Sequence, residues 1–226
     1  MDVLFLGSGR GGTAKALYSL IKDNITSILP TNTQIKIIAD RECGVAEWAM
    51  SKNIPLKVIS LATNEDWHKL CDEEWLEKAD FIITTIHKII PKLILSKYQY
   101  KMINVHYSIL PSFQGLIGKN TVQSAIDYGA QILGATCHHV TSEVDAGRPI
   151  CQVAFANDNT EIKYLMRYCF LGGCIALVNS IALLSRAESF KRSNKNIMSV
   201  VEVDLIVNPC HVETSEVLRY LSKHEY

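Results

Sequence analysis

The first half of the chain alternates short apolar runs with amphipathic stretches. The apolar runs that predict strands are VLFL (3–6), QIKIIAD (34–40), PLKVIS (55–60), DFIITTI (80–86) and KMINVHY (101–107). The stretches that predict helices between them are 13–24, 42–53, 64–79, with Asn64 as its expected cap, and 91–98. Strands apolar on both faces, alternating with helices, are typical of a parallel sheet covered on both sides. The pattern therefore predicts an open α/β fold of Rossmann-like type, with a mostly parallel twisted sheet.

The second half of the chain changes character. Residues 121–129 predict a helix that ends at a glycine, and the apolar runs 132–140 and 149–155 enclose the polar segment TSEVDAGR (141–148). This arrangement indicates an antiparallel pair of strands joined by a loop long enough to carry function.

A long apolar helix is predicted over about 160–186, and the chain becomes polar after it. The remaining segment predicts one strand at 199–207 and a short helix at 214–223. We therefore expect a catalytic domain at 1–186 and a C-terminal extension at 187–226.

Composition narrows the class of protein. The 226 residues are 48% hydrophobic and 20% charged, and 23 basic residues balance 23 acidic ones. This neutrality argues against nucleic acid or an anionic membrane surface as a partner and leaves a small molecule. The sequence carries no signal for an oligomeric state.

Targeting signals and cysteines point to the cytoplasm. The N-terminal MDVLFLGSGRGG has no basic region of a signal peptide, and the apolar stretch 171–184 is too short and interrupted to span a bilayer. The seven cysteines are scattered without a CxxC pair, which favours reduced, buried thiols.

A glycine-rich loop, GSGRGG (7–12), lies between the first predicted strand and helix. Ligands of open parallel sheets bind at the carboxyl ends of the strands, and glycines let backbone N–H groups approach a phosphate there. Because Asp40 ends the second strand, a dinucleotide-dependent oxidoreductase remains an alternative, as does a tight turn without a ligand.

Polar side chains occupy the end of the fifth predicted strand, where alternation places Asn104, His106 and Ser108 on one face. Histidine is the usual proton-transfer residue near neutral pH, and an amide can donate to a developing oxyanion. By itself His106 also fits a structural role in the core. A second polar cluster, consisting of His138, His139, Ser142, Glu143, Asp145 and Arg148, favours an acid–base pair of imidazole and carboxylate.

A metal site is the competing use of Cys137, His138 and His139. Neighbouring strand residues point to opposite faces of a sheet, so the two histidines cannot both ligate one ion without distortion. We therefore expect no metal.

Two motifs together carry a resemblance to a known family. NVHYSILP (104–111) with Gly115, followed by GATCHHVTSEVDAG (134–147), resembles the folate-dependent formyltransferases and the related deformylases, from residue 1 to about 186. The resemblance implies that Asn104, His106 and Asp145 are catalytic and that 10-formyltetrahydrofolate is the formyl donor. It implies donor contacts from Lys88, Ile90, His138, Val140 and Glu143, and acceptor contacts from Gly11, Gly12, Thr13, Ser108 and Gly115.

The acceptor is less well defined by the resemblance. Glycinamide ribonucleotide is the best single candidate, although RYCFLGGCIALV (167–178) lacks the glutamate with which that enzyme holds the amine. Hydrolysis of the donor and formylation of a nucleotide-linked sugar remain alternatives, whereas the neutral tail is too short for a transfer-RNA-binding domain. A non-catalytic folate or nucleotide binder also stays open.

Overall fold

The structure, a computed structural model, describes residues 1–158, 160–185, 193, 197–200, 203–211 and 213–226, without the side chain of Val200. The described strands form one nine-stranded sheet in the order β3-β2-β1-β4-β5-β6-β7-β9-β8. The strands are β1 (Asp2–Gly7), β2 (Gln34–Ala39), β3 (Leu56–Val58), β4 (Phe81–Thr85), β5 (Met102–His106), β6 (Ile132–His139), β7 (Pro149–Ala156), β8 (Ile197–Val200) and β9 (Val203–Asn208).

Helices cover both faces of this sheet. They are α1 (Gly12–Lys22), α2 (Gly44–Ser51), α3 (Asn64–Cys71), α4 (Glu74–Lys78), α5 (Lys92–Tyr98), α6 (Lys119–Asp127), α7 (Ile162–Leu184) and α8 (Thr214–Leu221). One buried cluster lies between the sheet and α1, α2, α6, α7 and α8. A second cluster packs α3, α4 and α5 on the opposite face. The predicted α/β fold is confirmed.

The direction of the strands determines where a ligand can bind. Strands β3, β2, β1, β4 and β5 are parallel, and β6 then pairs antiparallel to β5. The carboxyl ends of β1, β4 and β5 therefore meet at one edge, and this is the edge where open α/β sheets bind ligands.

The helix predicted over 64–79 is two helices, α3 and α4, and its predicted cap is wrong. The cap is Thr63, whose hydroxyl accepts from the Asp66 N–H at 3.2 Å while the Asp66 carboxylate accepts from the Thr63 N–H at 2.9 Å. This reciprocal pair is a capping box, which satisfies two otherwise unpaired donors. Asp72 ends α3.

The strand predicted at 199–207 is also two strands, β8 and β9, which pair antiparallel to each other. β9 then pairs with β7, for example Gln152 with Asn208. The described part of the 187–226 segment thus continues the main sheet, while 186–192, 194–196, 201–202 and 212 lie outside the described residues. A domain boundary at residue 186 stays a prediction.

Helix α7 lies in the centre of the fold. Its 23 residues are long and apolar enough to cross a membrane by length and composition alone, and 78% of its apolar stretch is buried inside the fold. Core helices of soluble proteins share this length and composition. Here α7 packs against β6 and β7 and contacts α1, α6 and α8.

Candidate active site

A cavity of about 520 Å³ opens at the carboxyl ends of β1, β4 and β5. Its walls are residues 9–14 after β1, 84–90 at the end of β4, 104–107 at the end of β5, 115–118, and His138 with 141–145 after β6. A volume of this size lies within the usual range for small-molecule sites. The glycine loop therefore shares one space with part of each predicted polar cluster, namely Asn104 and His106 of the first and His138, Ser142, Glu143 and Asp145 of the second. His139 and Arg148 of the second cluster do not line it.

Asn104 is held in one orientation by its own strand. Its Oδ1 accepts a hydrogen bond from the Val105 N–H at 2.8 Å. It pairs in register with Thr84 on β4 and with His138 on β6. Because the amide oxygen is engaged by the backbone, the amide NH₂ group is the donor that Asn104 can offer to a ligand in the cavity.

His106 is 5% exposed and lies between two hydrogen-bond acceptors. Its Nε2 is 2.9 Å from the Phe113 carbonyl oxygen, and its Nδ1 is 3.2 Å from Asp145 Oδ2. Since both partners accept, the imidazolium satisfies both contacts at once, with an N–H on each nitrogen. Phe113 adopts a positive φ of 58°, which is unusual for a bulky residue.

Asp145 brings the loop after β6 back to His106. Its Oδ2 also accepts from the Gly115 N–H at 2.9 Å, and its Oδ1 is 3.6 Å from His138 Nε2. Asp145 has a φ of 54°, a left-handed conformation that aspartate and asparagine tolerate better than most residues. The loop needs Gly147, because a Cβ there would lie 1.6 Å from the His139 carbonyl oxygen.

Burial and neighbouring polar groups act in opposite directions on the pKa values of His106 and Asp145. Burial lowers the pKa of His106 below its ordinary value, although the Asp145 carboxylate and the Phe113 carbonyl act to raise it. For Asp145, burial would raise the pKa, but the neighbouring His138 ring, the hydrogen bond from the Gly115 N–H and the charge on His106 outweigh it, so this pKa is lowered. A charged carboxylate in contact with an imidazole forms an acid–base pair that can hold or move a proton.

The glycine loop forms the opposite wall of the cavity. Gly11 caps α1 at a φ of 76°, and a Cβ there would lie 2.4 Å from Val45 Cγ2, so a larger residue is excluded by both conformation and space. The loop brings Arg10 and the N-terminus of α1 to the cavity. This combination of a helix N-terminus and a guanidinium favours a bound anion.

Apolar side chains form the outer rim of the cavity. Ile89, Ile117 and Val144 line it and are 72%, 56% and 52% exposed. Ile90 also lines the cavity and is buried, and Lys88 lies on the same segment. Exposed apolar groups around a cleft favour a ligand with an apolar surface.

Eleven of the thirteen predicted site residues line this cavity, and Ser108 and Val140 do not. Strand β5 ends at His106, so its alternation stops before Ser108, whose hydroxyl donates to the Ser112 carbonyl at 2.5 Å. The Val140 N–H donates to the Met102 carbonyl at 3.1 Å, and its side chain packs against the core under α3 and α5. The expectation that Ser108 projects into this crevice is therefore wrong.

Asp40, the acidic residue of the dinucleotide alternative, is also absent from the cavity wall. It is buried, with its Oδ1 3.4 Å from Arg41 Nε. Among the described residues, no group of three His, Cys, Asp or Glu side chains is placed to hold a metal ion. Cys137 is fully buried, and burial raises the pKa of its thiol to about 12.

Sequence reasoning missed three contributors to the site. Arg10 stood in the glycine loop and Tyr107 directly follows the predicted histidine, so both were visible in the sequence. The Phe113 contribution is a backbone carbonyl, which every residue type has, and no sequence signal could have indicated it.

Comparison with known proteins agrees with this geometry. The sequence pattern of the formyl transferase family matches residues 1–166, about three quarters of the chain. The chain belongs to the formyl transferase family. The matched region contains every residue of the His106 cluster and the glycine loop.

Sequence identity and coverage describe how similar the chain is to individual members of the family. The chloroplastic phosphoribosylglycinamide formyltransferase of Arabidopsis thaliana is 32% identical over 132 residues, 54% of this chain and 45% of that protein. The formyltetrahydrofolate deformylase of Escherichia coli strain K12 is 25% identical over 150 residues, 65% of this chain and 49% of that protein. The chain thus spans about half the length of the curated relatives it matches.

A solved structure in the same family extends the match to the fold. The phosphoribosylglycinamide formyltransferase of Anaplasma phagocytophilum superposes with a TM-score of 0.69 at 25% identity, covering 85% of this chain and 90% of that one. The coverage indicates that the formyltransferase fold reaches beyond residue 166.

Proposed function

We propose that the protein transfers the formyl group of 10-formyltetrahydrofolate to the amine of a small phosphorylated or nucleotide-linked acceptor. Glycinamide ribonucleotide is the best single candidate for that acceptor. The observation that carries the proposal is the meeting of Asn104, His106 and Asp145 in one cavity, with an anion-binding glycine loop on its opposite wall.

In this proposal Asn104 and His106 stabilise the charge that develops on the formyl oxygen. When an amine attacks the formyl carbon, negative charge develops on the formyl oxygen. The Asn104 amide is already oriented by the Val105 N–H, so its NH₂ group donates to that oxygen without reorganisation. A proton on His106 adds a positive charge at the same place.

His106 and Asp145 move the proton from the attacking amine to the nitrogen that loses the formyl group. The attacking amine becomes positively charged and has to lose a proton before the formyl carbon separates from its original nitrogen, which gains one. Asp145 holds the His106 ring at 3.2 Å and stabilises its charged form. Because protonated His106 carries an N–H on each nitrogen, the Asp145 carboxylate is the group of this pair that can accept the first proton and give it to the leaving nitrogen.

The remaining predicted residues take supporting roles in this proposal. Lys88 and Ile90, with His138 and Glu143, lie where the donor's ring system would enter past the apolar rim. Gly11, Gly12 and Thr13 would bind the acceptor's phosphate, aided by Arg10, and Gly115 positions Asp145. Val140 acts indirectly by anchoring the end of β6 to β5.

Hydrolysis of the donor is the alternative, with water as the acceptor. It is favoured by the match to a deformylase and by the side of α7 near the glycine loop, where Phe170 and Gly173 lie instead of an acidic residue. Sugar N-formylation is a further option, because a nucleotide-linked sugar also brings phosphates to the glycine loop. We expect a cytoplasmic enzyme acting on small molecules, without a nucleic-acid or membrane partner.

One assay distinguishes these functions. The protein is incubated with 10-formyltetrahydrofolate alone, then with glycinamide ribonucleotide or an amino-sugar nucleotide, and tetrahydrofolate is followed. Release that requires glycinamide ribonucleotide supports the proposed transfer, and release without any amine supports hydrolysis. If no condition releases tetrahydrofolate, the protein does not have the proposed activity.

A further inference from the structure

One short segment after β5 contacts both members of the acid–base pair. The Phe113 carbonyl oxygen is 2.9 Å from His106 Nε2. Two residues further on, the Gly115 N–H donates to Asp145 Oδ2 at 2.9 Å. Between these two contacts, Gln114 Nε2 donates to the backbone carbonyl oxygen of Asp145 at 3.0 Å. Three consecutive residues therefore hold the imidazole at one end and the aspartate at the other.

The backbone of this segment has an unusual conformation. Phe113 and Gly115 have positive φ angles of 58° and 76°. Glycine adopts such angles readily, whereas a bulky residue does so only where surrounding contacts hold it there. The ring of Phe113 packs edge-on against Tyr128, with 6.0 Å between the ring centroids. The segment is thus fixed on both sides of Gln114.

The backbone of Asp145 is held by contacts on both sides of one peptide group. Its φ of 54° costs free energy for residues other than glycine, although aspartate tolerates it better than most. The N–H of the following peptide, on Ala146, donates to the Glu143 carbonyl at 3.4 Å. The carbonyl of the same peptide accepts from Gln114. Gln114 therefore fixes the peptide plane next to the Cα that carries the carboxylate.

The last residues of the loop that contains Asp145 are anchored differently, to β6. The His139 N–H donates to the Arg148 carbonyl at 3.1 Å, and a Cβ on Gly147 would lie 1.6 Å from the His139 carbonyl oxygen. Asp145 precedes these contacts by two residues. Gln114 supplies an anchor for it from a different loop.

We propose that Gln114 is a positioning residue, whose hydrogen bond to the Asp145 carbonyl holds the Asp145 carboxylate against His106. Gln114 does not line the cavity, so it acts on the reaction through Asp145 and not through a substrate. The inference rests on the proposed function for its effect on turnover. Its effect on the contact between Asp145 and His106 does not depend on any reaction.

The expected loss of activity is that of one exposed hydrogen bond. Losing a neutral hydrogen bond of this kind changes an equilibrium by about two- to tenfold. Gln114→Met keeps the length of the side chain and removes the amide, and we expect it to lower kcat/KM for tetrahydrofolate release by this factor. Gln131→Met is the matched control, because Gln131 is also exposed and its Nε2 donates to the Gly129 carbonyl at 3.0 Å outside the cavity. We expect wild-type activity in the control.

Titration followed by NMR separates positioning from general stability. The chain has seven histidines, and the His106 signal is assigned by its loss in His106→Asn. Because the Asp145 carboxylate acts to raise the pKa of His106, moving the carboxylate away lowers that pKa. We expect a lower pKa of His106 in Gln114→Met, with a smaller fall than in Asp145→Asn, and the wild-type value in Gln131→Met. A wild-type pKa of His106 in Gln114→Met would overturn the inference, whatever the free energy of unfolding of this variant.

Other groups also face His106 and have to be separated from Asp145. His138 on β6 acts to lower the pKa of His106, and the Phe113 carbonyl acts to raise it. The further charged side chains on the cavity wall are Arg10, Lys88 and Glu143. None of these side chains is changed in the variants, but the Phe113 carbonyl adjoins Gln114 in the chain and requires a control of its own.

The double variant provides that control. With Asp145→Asn already present, no carboxylate remains to be positioned, so adding Gln114→Met should change neither the pKa of His106 nor kcat/KM any further. A second fall of two- to tenfold in kcat/KM, or a further fall in the pKa, would show that Gln114 acts independently of the carboxylate. Either result would overturn the inference.

The two measurements keep this inference separate from the proposed function. The expected order of pKa values, combined with no release of tetrahydrofolate under any condition, would support the positioning role and reject the transfer reaction. Release of tetrahydrofolate, combined with a wild-type pKa and wild-type kcat/KM in Gln114→Met, would retain the enzyme and reject the role of Gln114.

Discussion

The contact between Asp145 and His106 can be tested by the substitution Asp145→Asn, for which we predict a large loss of activity. Asparagine has the same shape and tolerates the φ of 54° found at this position, so the loop should keep its path. The two charges are 3.2 Å apart, and at an effective dielectric constant of 20 their attraction is ~5 kcal/mol. We expect ~3–5 kcal/mol of transition-state stabilisation to be lost, a fall in kcat/KM of about 10²- to 10⁴-fold.

The assay is tetrahydrofolate release at saturating donor over a range of pH. If protonated His106 is the active form, kcat/KM falls as the pH rises through its pKa, and Asp145→Asn moves this fall to lower pH because the stabilising charge is gone. Asp127→Asn, at an exposed position on α6, is the control, and circular dichroism checks that the variants fold. Activity in Asp145→Asn within threefold of wild type would refute the assigned role of the carboxylate.

Three further predictions concern the oxyanion donor, the packing of the sheet and the thiols. Asn104→Ala should lower kcat by about 10²- to 10³-fold with little change in the donor's KM, and a KM effect alone would reassign Asn104 to binding. Gly134→Ala places a Cβ 2.0 Å from the Val153 carbonyl oxygen, so urea unfolding should show a loss of at least ~1–3 kcal/mol. Gly172→Ala is the milder comparison at 3.1 Å from Val153 Cγ1, and equal stability of the two variants would contradict the packing argument. Iodoacetamide at pH 8 should modify the partly exposed Cys43 before Cys137 and Cys169, whose pKa values burial raises to about 12; mass spectrometry showing equal rates would disprove it.

Much of the fold was predictable because burial on both faces leaves a direct pattern in the sequence. The runs at 3–6 and 34–40 became the adjacent strands β1 and β2, and the glycines between β1 and α1 marked the ligand-binding edge. Errors arose where local interactions competed with periodicity. Periodicity runs through 64–79, yet the chain there leaves helix α3 at Asp72 before α4 begins.

The catalytic cluster was predictable in its residue types and less so in its contacts. Asn104, His106 and Asp145 do meet, but their contact depends on the antiparallel register of β5 with β6 and on an irregularity between Cys137 and His138. Neither follows from periodicity. Ser108 shows the limit of the alternation argument, because a period of two holds only while the backbone remains a strand.

The position of Tyr226 has a practical consequence for anyone preparing this protein. Its backbone oxygen lies 3.8 Å from a Cβ built on Gly12, and its ring contacts Phe170 beside the same loop. A purification tag joined after Tyr226 would therefore begin beside the glycine loop, on the side where Gly12 packs against Phe170. Met1 precedes the amino end of β1, at the opposite edge of the sheet from the cavity, so affinity tags and immobilisation linkers belong there.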